Sequence, residues 1–270
     1  MSLQKNHSYQ LSIQSLSTKG LGKGTIDGFP VLVAGTLPGE KIEVLITKVM
    51  STRAYGKCLS ILELSKERVS PPCSVFGPCG GCQLQHLSPS AQKGFKLGVL
   101  QSFLDEAALS YPKISYLDSP DAYHYRNKLQ FAVSKSLDGL YHIGLFASRS
   151  QRVVDCQSCE IQDPLNNEVL SYFRAFLEAY HPPIFNAKTG AAGIAHLLIR
   201  VGEGRHSNHG KEVMVGIVST DPLLAFRDDM IGSLQQSDSV KSVFLVLNHH
   251  PEWAILEGGS ILLWGENHLQ

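Results

Sequence analysis

Apolar residues in the first quarter of the chain recur in short runs that are separated by glycines. The clearest runs lie at residues 11–13, 30–33, 41–46 and 56–62, and Gly or Pro-Gly stands between them. Short apolar runs bounded by glycine turns are typical of β-strands. About five short strands in roughly 55 residues predict a small closed β-barrel of the OB type. We expect this barrel to form a first domain over residues 1–66.

The segment 88–108 has the periodicity of a helix. Phe95, Val99 and Phe103 follow one another at four-residue steps, which places them on one face. Two glycines inside the segment lower its helix propensity. The pattern therefore predicts a helix with one apolar face, which directly follows a cysteine-containing loop.

The remainder of the chain mixes strands and helices. Residues 125–133 alternate strictly, so that Arg126, Lys128 and Gln130 share one face and the apolar side chains share the other. Asp163-Pro164 and Asp221-Pro222 each combine an N-cap residue with a proline in the first helical turn, which predicts two helix starts. Further strands are predicted near residues 193–201, 212–219, 241–247, 253–256 and 261–264. The order predicts an α+β domain with an antiparallel sheet over residues 67–270.

Composition and charge narrow the possible environments. Of the 270 residues 43% are hydrophobic, and 24 Lys/Arg balance 24 Asp/Glu. Residues 1–70 carry nine cations and five anions (9 − 5 = +4), whereas residues 211–270 carry three and eight (3 − 8 = −5). A positively charged N-terminal region is consistent with an anionic partner, although random variation of surface charge would give the same asymmetry. No run approaches the roughly 18 apolar residues of a membrane span, and no signal-peptide core is present, so we expect a cytoplasmic protein without a membrane partner.

Three cysteines lie close together in the chain. Cys73 is separated from Cys79 by five residues, and Cys79 from Cys82 by two, with glycines and a proline between them. Three thiolates at this spacing can converge on one centre, and Cys156 or Cys159 would supply the fourth. Four thiolates suit an iron–sulfur cluster or tetrahedral zinc. Because Cys156 and Cys159 form a second Cys-x₂-Cys pair, zinc stays open, as does the possibility that the six cysteines are unrelated.

The stretch CSVFGPCGGCQLQH at residues 73–86 resembles the iron–sulfur motif of the RNA uracil-5-methyltransferases, particularly those that act on large-subunit ribosomal RNA. Residues 9–63 resemble the TRAM domain that opens these enzymes, and YRNKLQF at 125–131 resembles a strand of the family. The segment at 143–159 resembles the one that delivers the fourth ligand. The resemblance covers essentially the whole chain, and it implies a [4Fe-4S] cluster with the ligands Cys73, Cys79, Cys82 and Cys159.

The chain also departs from the family pattern. Gln151 stands where the family often has histidine, Glu160 stands where proline commonly follows the ligand, and Cys156 stands where an apolar residue is usual. None of these changes removes a thiolate from the implied ligand set.

The resemblance implies RNA as the partner, and ribosomal RNA in particular. OB-type barrels bind single strands through a basic groove and base stacking. The candidate RNA-binding residues are Lys19, Lys23, Lys48, Arg53, Lys57, Arg126 and Lys128. For Arg126 and Lys128 the role would be a phosphate contact, and an ordinary solvated strand face is the alternative.

The family's Rossmann-type methyltransferase domain, which holds S-adenosylmethionine (SAM) and the cysteine nucleophile, follows the point where this sequence ends at Gln270. We therefore expect a truncated 23S rRNA (uracil-5-)-methyltransferase in which that domain is absent. This expectation assigns no catalytic residue and no SAM-binding residue to the chain. It also predicts that the chain alone is inactive and that SAM is a cofactor only if the missing domain is supplied in cis or in trans.

Two other classes compete with this interpretation. The chain could be a non-catalytic RNA-binding module with a structural cluster or zinc. Radical-SAM methylthiotransferases also combine a TRAM domain with a cluster, but their radical cluster uses a Cys-x₃-Cys-x₂-Cys spacing. The Cys-x₅-Cys-x₂-Cys spacing of this chain disfavours them.

Overall fold

The computed structural model describes residues 3–204, 210–252 and 254–268. The chain divides into two compact units. The first comprises Met1–Gly77 and Cys82–Ser119, and the second comprises Pro78–Gly81 and Pro120–Gln270. The division passes through residues 73–82, which we call the cysteine loop. In the described part of the chain, no helix combines the length and the apolar character that a membrane crossing requires.

The first unit contains a six-stranded sheet. Its strands are β1 (Ser8–Ser12), β2 (Ser15–Leu16), β3 (Gly22–Ile26), β4 (Phe29–Val33), β5 (Lys41–Val49) and β6 (Ala54–Glu63). They are arranged in the order β1-β5-β6-β4-β3-β2. All neighbours are antiparallel except β4 and β6, which are parallel. The short strands predicted for this region are therefore present.

Alternation along the strands gives this sheet its core. On β5, Ile42, Val44 and Ile46 are buried, whereas the residues between them are half-exposed. They pack with buried side chains of the other strands, which are Leu11, Val31, Val33 and Ala54. A side chain every second residue points to the same face, so the intervening residues necessarily face outward. This geometry leaves one face of the sheet for partners.

Helix α1 (Pro89–Glu106) follows the cysteine loop in the first unit. Ser88 caps it by accepting a hydrogen bond from the Ala91 backbone N–H at 3.2 Å, and Pro89 occupies the first turn. None of its residues is buried. Phe103 is 52% exposed, and Phe95 and Val99 are half-buried. The predicted apolar face of the helix is therefore largely open in the structure.

The second unit contains a seven-stranded sheet and two helices. The strands are β7 (Lys128–Lys135), β8 (Tyr141–Phe146), β9 (Val153–Asp155), β10 (Ile194–Glu203), β11 (Lys211–Ser219), β12 (Val240–Leu247) and β13 (Gly259–Gly265). Their order is β13-β12-β11-β10-β7-β8-β9. Helices α2 (Pro164–Tyr180) and α3 (Arg227–Leu234) pack on one face, where Phe173, Phe176 and Met230 join the buried side chains of β7, β10 and β11. We call the opposite side the open face of the sheet.

The sheet of the second unit is not wholly antiparallel, so the predicted fold class is wrong in this respect. Strands β11 and β12 are parallel, whereas all other neighbours are antiparallel. A parallel pair needs a long crossover, and here a 3-10 turn (Leu224–Phe226) and α3 provide it. The apolar runs at 212–219 and 241–247 read alike for either direction, which is why the pattern missed this pairing.

The two predicted helix starts have different outcomes. Asp163 caps α2 by accepting a hydrogen bond from the Leu165 backbone N–H at 3.0 Å, as predicted. Asp221 accepts from the Leu223 N–H at 2.8 Å, but Leu223 adopts a left-handed conformation with φ of 53°, and α3 begins only at Arg227. The strand predicted near 253–256 is also wrong in its described part, because residues 254–256 lie in a turn region, and residue 253 lies outside the described residues.

Candidate nucleic-acid interface and cysteine loop

The middle of the cysteine loop is paired with the end of strand β8. The Gly80 backbone N–H donates a hydrogen bond to the Phe146 carbonyl oxygen at 3.0 Å, and Cys79 forms an isolated antiparallel bridge with Ala147. A Cβ atom on Gly80 would lie 2.7 Å from the Phe146 oxygen and 3.1 Å from the Ser148 nitrogen. Only glycine allows this approach of the two backbones, since real Cβ atoms do not come that close.

The four cysteines predicted as metal ligands differ in burial. Cys73, Cys79 and Cys82 are half-buried, and Cys159 is buried. All six cysteines lie in the described ranges, and none of them forms a disulfide. In residues 3–204, 210–252 and 254–268, no group of three or more His, Cys, Asp and Glu side chains is placed so that it could hold a metal ion. The assignment of Cys73, Cys79, Cys82 and Cys159 as ligands stays a prediction.

Local hydrogen bonds reach the thiol of Cys79 and the backbone of Cys159. The Gly81 backbone N–H donates to Cys79 Sγ at 3.4 Å. The Cys159 N–H donates to Asn167 Oδ1 at 2.9 Å, and Asn167 Nδ2 donates to the Cys159 carbonyl oxygen at 3.4 Å, so helix α2 holds the Cys159 backbone. Cys156 differs, because its thiol donates to the Ser158 carbonyl oxygen at 2.7 Å.

A buried ion pair stabilises the segment that leads into the cysteine loop. Arg68 Nε lies 2.5 Å from Glu40 Oε1, Arg68 Nη2 lies 3.0 Å from Oε2, and the Leu37 N–H donates to Oε2 at 2.8 Å. Glu40 is 1% exposed. Burial alone would raise its carboxyl pKa, but the hydrogen bonds from Arg68 and Leu37 outweigh it, so the pKa lies below the ordinary value. The carboxylate is therefore ionised at neutral pH.

His86 is a buried residue of the first unit and lies close to the cysteine loop. Its ring centroid is 5.3 Å from that of Phe76, a residue of the cysteine loop. Neither ring nitrogen has a hydrogen-bond partner among the described residues. Burial, assisted by the charge of Arg68, lowers the pKa of His86 to about 4. The imidazole is thus neutral at pH 7 and acts as a packing group.

Three lysines, a tyrosine and the buried Leu32 form a row on one face of the first sheet. Lys23 on β3 pairs with Leu32 on β4, Leu32 pairs with Tyr55 on β6, and Tyr55 pairs with Lys48 on β5. Paired residues on neighbouring strands point to the same face, so these four side chains lie side by side. Lys57 stands two residues beyond Tyr55 on the same face of β6. We call these five residues the barrel row.

The remaining predicted cations of the first unit lie in turns. Lys19 is in the turn before β3, and Arg53 closes the β5–β6 hairpin through a backbone bond between its carbonyl oxygen and the Met50 N–H at 2.9 Å. Lys19, Arg53 and the three lysines of the barrel row are all exposed. Within the described residues, none of the five forms an ion pair with a carboxylate. The positive charge of this surface is therefore available to an anionic partner.

Tyr55 was missed by the sequence reasoning. Its position two residues before Lys57 places it on the same strand face, which was a signal that could have found it.

In the second unit, Lys128 begins β7 and Arg126 lies two residues before the strand. Arg126 forms a parallel bridge with Gln162, and its carbonyl oxygen accepts from the Asp163 N–H at 3.0 Å. Lys128 pairs directly with Arg200 on β10, and both are exposed on the open face. Arg200 was not predicted from the sequence, because the pairing of strands about 70 residues apart is not a local signal.

A cavity of about 900 Å³ lies on the open face of the second unit. Its walls include Phe146, Phe185 and His196, and its lining also includes Arg152 and Lys188. The rings of Phe146 and His196 meet edge to face at 6.4 Å between centroids. Burial lowers the pKa of His196, although backbone hydrogen bonds at Pro251 and Phe131 act in the opposite direction. The cavity thus combines aromatic walls with exposed cations.

Comparison with known proteins gives the family context. Residues 4–59 match the TRAM domain. The chain is 32% identical to an uncharacterised RNA methyltransferase of Clostridium tetani over 98% of this chain and 57% of the relative. A protein of the same description from Oceanobacillus iheyensis is 32% identical over 99% of this chain and 57% of its own length. The chain thus spans somewhat more than half the length of these relatives.

A solved structure shows the same fold. The tRNA (uracil-54, C5)-methyltransferase of Pyrococcus abyssi, in complex with S-adenosyl-L-homocysteine, superposes with a TM-score of 0.63 at 23% identity, over 88% of this chain and 51% of that chain. These alignments contradict the predicted fold class in its claim of an absent methyltransferase domain, since nearly the whole chain aligns with methyltransferases.

By these comparisons, the chain carries a TRAM domain and is similar over nearly its whole length to proteins named RNA methyltransferases.

Proposed function

We propose that this chain binds RNA for a SAM-dependent methylation of uracil at C5. The barrel row carries the proposal: Lys23, Lys48 and Lys57 are exposed around Tyr55 on one face of a TRAM domain. Cations that contact phosphates supply most of the affinity of such surfaces, and an aromatic ring offers a stacking platform for a base. The similarity to RNA methyltransferases supports the reaction class and SAM as methyl donor.

The substrate that we propose is ribosomal RNA. The resemblance of residues 73–86 to the cysteine motif of ribosomal RNA methyltransferases supports it. The solved relative from Pyrococcus abyssi acts on tRNA uracil-54, so transfer RNA is the alternative that a direct comparison must exclude. Both substrates belong to the translation machinery, and we propose a cytoplasmic location for this reason.

A [4Fe-4S] cluster held by Cys73, Cys79, Cys82 and Cys159 is part of the proposal. The set contains four thiols, which is the usual ligand number of such clusters. The Gly81 N–H already donates to Cys79 Sγ, which is the kind of hydrogen bond that stabilises a cluster sulfur. When bound, the group would link the cysteine loop to the segment before α2. The proposed domains are an RNA-binding barrel over residues 1–66 and a cluster-containing domain over residues 67–270.

The experiment is a salt-dependent RNA-binding titration. A single-stranded uridine-containing RNA is titrated with the unmodified chain and with the triple variant Lys23→Gln/Lys48→Gln/Lys57→Gln. If each lysine contacts one phosphate, the slope of log affinity against log salt falls by about 0.7 per lysine, or roughly 2 in total. Lys41→Gln is the matched control, because Lys41 Nζ lies 3.9 Å from Glu63 Oε1. Equal slopes for the triple variant and the unmodified chain would disprove the role of the barrel row.

A SAM-binding measurement by calorimetry separates the enzyme from a non-catalytic RNA-binding module. Binding of SAM by the unmodified chain supports the methyltransferase, whereas RNA binding without any SAM binding supports the module.

A further inference from the structure

The open face of the second unit carries three successive cross-strand residue pairs between β7 and β10. Arg200 pairs with Lys128, Leu198 with Gln130, and His196 with Ala132. All six residues alternate with core residues such as Leu129 and Ile199, so they share the open face. The three residue pairs therefore form a continuous surface from Lys128 and Arg200 to the cavity.

The first of these pairs, Lys128 and Arg200, places two positive charges side by side, and we call it the cation pair. Lys128 and Arg200 are exposed, and within the described residues neither forms an ion pair. Like charges directly opposite on neighbouring strands destabilise a sheet. An anion that binds between them removes this repulsion, so the pair is suited to a phosphate group.

The last pair, Ala132 and His196, lines the cavity. It lies four residues, or about 13 Å, along the strands from the cation pair. A cavity of about 900 Å³ is in the range of small-ligand sites, which are lined by aromatic groups with a few polar ones. Phe146 is 41% exposed, so its ring is accessible.

The charged residues that line the cavity leave it positive. Arg152 and Lys188 form no ion pair within the described residues. With Lys135 the lining holds three cations against the two acids Asp155 and Glu252, and Asp155 Oδ1 lies 2.9 Å from Arg174 Nη2. An aromatic wall beside available cations matches a flat base that is attached to a phosphate, because the base stacks and the phosphate is neutralised.

We propose that the cavity takes one nucleobase of single-stranded RNA, whose backbone runs over β7 and β10 to a phosphate held by Lys128 and Arg200. The inference rests on the proposed function, since it requires that the chain binds RNA. It adds a second contact region to the barrel row, and it assigns Phe146 as the stacking residue. An acidic peptide would satisfy the cations but would offer no flat ring to Phe146.

Photo-cross-linking tests the proposal on the unmodified chain. An RNA that contains 5-iodouridine is irradiated in the complex, and the attached peptides are identified by mass spectrometry. We expect cross-links to peptides that contain Phe146, Phe185 or His196, in addition to peptides from residues 4–59. Cross-links confined to residues 4–59 would overturn the cavity proposal and leave the proposed function intact. If the unmodified chain does not bind RNA at all, the proposed function fails as well.

Variants give an independent readout of affinity. Phe146→Ala is expected to weaken RNA binding by about 5- to 150-fold, the range of one lost base–aromatic stack. The matched control is Leu140→Ala, which removes an exposed apolar side chain outside the cavity. An unchanged affinity of a folded Phe146→Ala variant would contradict the stacking role.

The cation pair has its own signature. Arg200→Gln is expected to reduce the salt slope of RNA binding by about 0.7 and, because it removes a repulsion, to raise the melting temperature of the free chain at low salt. Lys241→Gln is the charge-matched control. If polyglutamate competes as well as RNA for the unmodified chain, the surface binds anions in general and the base-specific proposal is wrong.

Discussion

The Gly80 backbone N–H donates a hydrogen bond of 3.0 Å to the carbonyl oxygen of Phe146. This bond joins the cysteine loop to the strand end that carries the aromatic wall of the cavity. The position of Phe146 therefore depends on the conformation of residues 78–81. If a cluster orders the cysteine loop, it also orders the surface that we propose for a nucleobase.

Gly80→Ala is expected to break this junction. The added Cβ would lie 2.7 Å from the Phe146 oxygen, so the backbones must separate and the hydrogen bond is lost. We expect a loss of about 1–3 kcal/mol in the free energy of unfolding, measured by urea titration. Gly98→Ala is the control, because nothing lies within 4 Å of its Cβ position and alanine favours the helix. Equal stability of both variants would show that the junction tolerates a side chain.

Arg68→Ala is expected to destabilise the first unit strongly. The change leaves the Glu40 carboxylate buried without its guanidinium partner, which costs roughly 3–5 kcal/mol in comparable buried pairs. Lys41→Ala breaks an exposed pair with Glu63 and should change the free energy of unfolding by less than about 0.5 kcal/mol. Chemical unfolding of both variants measures the difference. A change as small as that of Lys41→Ala would mean that the Glu40–Arg68 pair contributes no net stability.

Acid is expected to destabilise the first unit through His86. The pKa of His86 is lowered from 6.5 to about 4 by burial and by Arg68. The unfolded chain therefore takes up a proton at a pH where the folded chain does not. Above pH 6.5 both states are neutral at this residue, so His86 does not change the free energy of unfolding. As the pH falls from 6.5 towards 4, proton uptake by the unfolded chain lowers the free energy of unfolding.

The His86→Phe variant tests this pH dependence. Phenylalanine keeps an aromatic ring beside Phe76 and cannot titrate, so the stability of the variant should change less between pH 6.5 and 4 than that of the unmodified chain. His7→Phe, at an exposed position, is the control. Parallel pH curves for the unmodified chain and His86→Phe would exclude His86 as the titrating group.

Cys159→Ser is expected to abolish iron binding, whereas Cys156→Ser should retain it. Cys159 is the proposed fourth ligand, and the thiol of Cys156 instead donates to the Ser158 carbonyl oxygen. Serine can replace a thiol as a hydrogen-bond donor but is a poor ligand for iron. Iron and zinc are measured in protein that is purified without oxygen. Iron loss in Cys156→Ser but not in Cys159→Ser would reverse the assignment, and bound zinc in place of iron would exclude the cluster.

Several features could be predicted from the sequence because their cause is local. The helix start at Asp163-Pro164 is an interaction between residues two positions apart, and the structure confirms it. The alternation along β5 reports a single buried face in the same way. The spacing of the cysteine loop is visible without any fold. Asp221 shows the limit of such signals, since it caps a turn but the left-handed Leu223 delays α3.

The sequence by itself determined the strands of the TRAM region, the capped helix α2 and the candidate thiols and cations. Only the tertiary structure decided that β11 and β12 are parallel, that Lys128 faces Arg200, and that Phe146 meets both Gly80 and the cavity. The physical reason is the range of the interactions. Caps and alternation depend on neighbours in the chain, whereas strand direction and register depend on how distant segments bury one shared core.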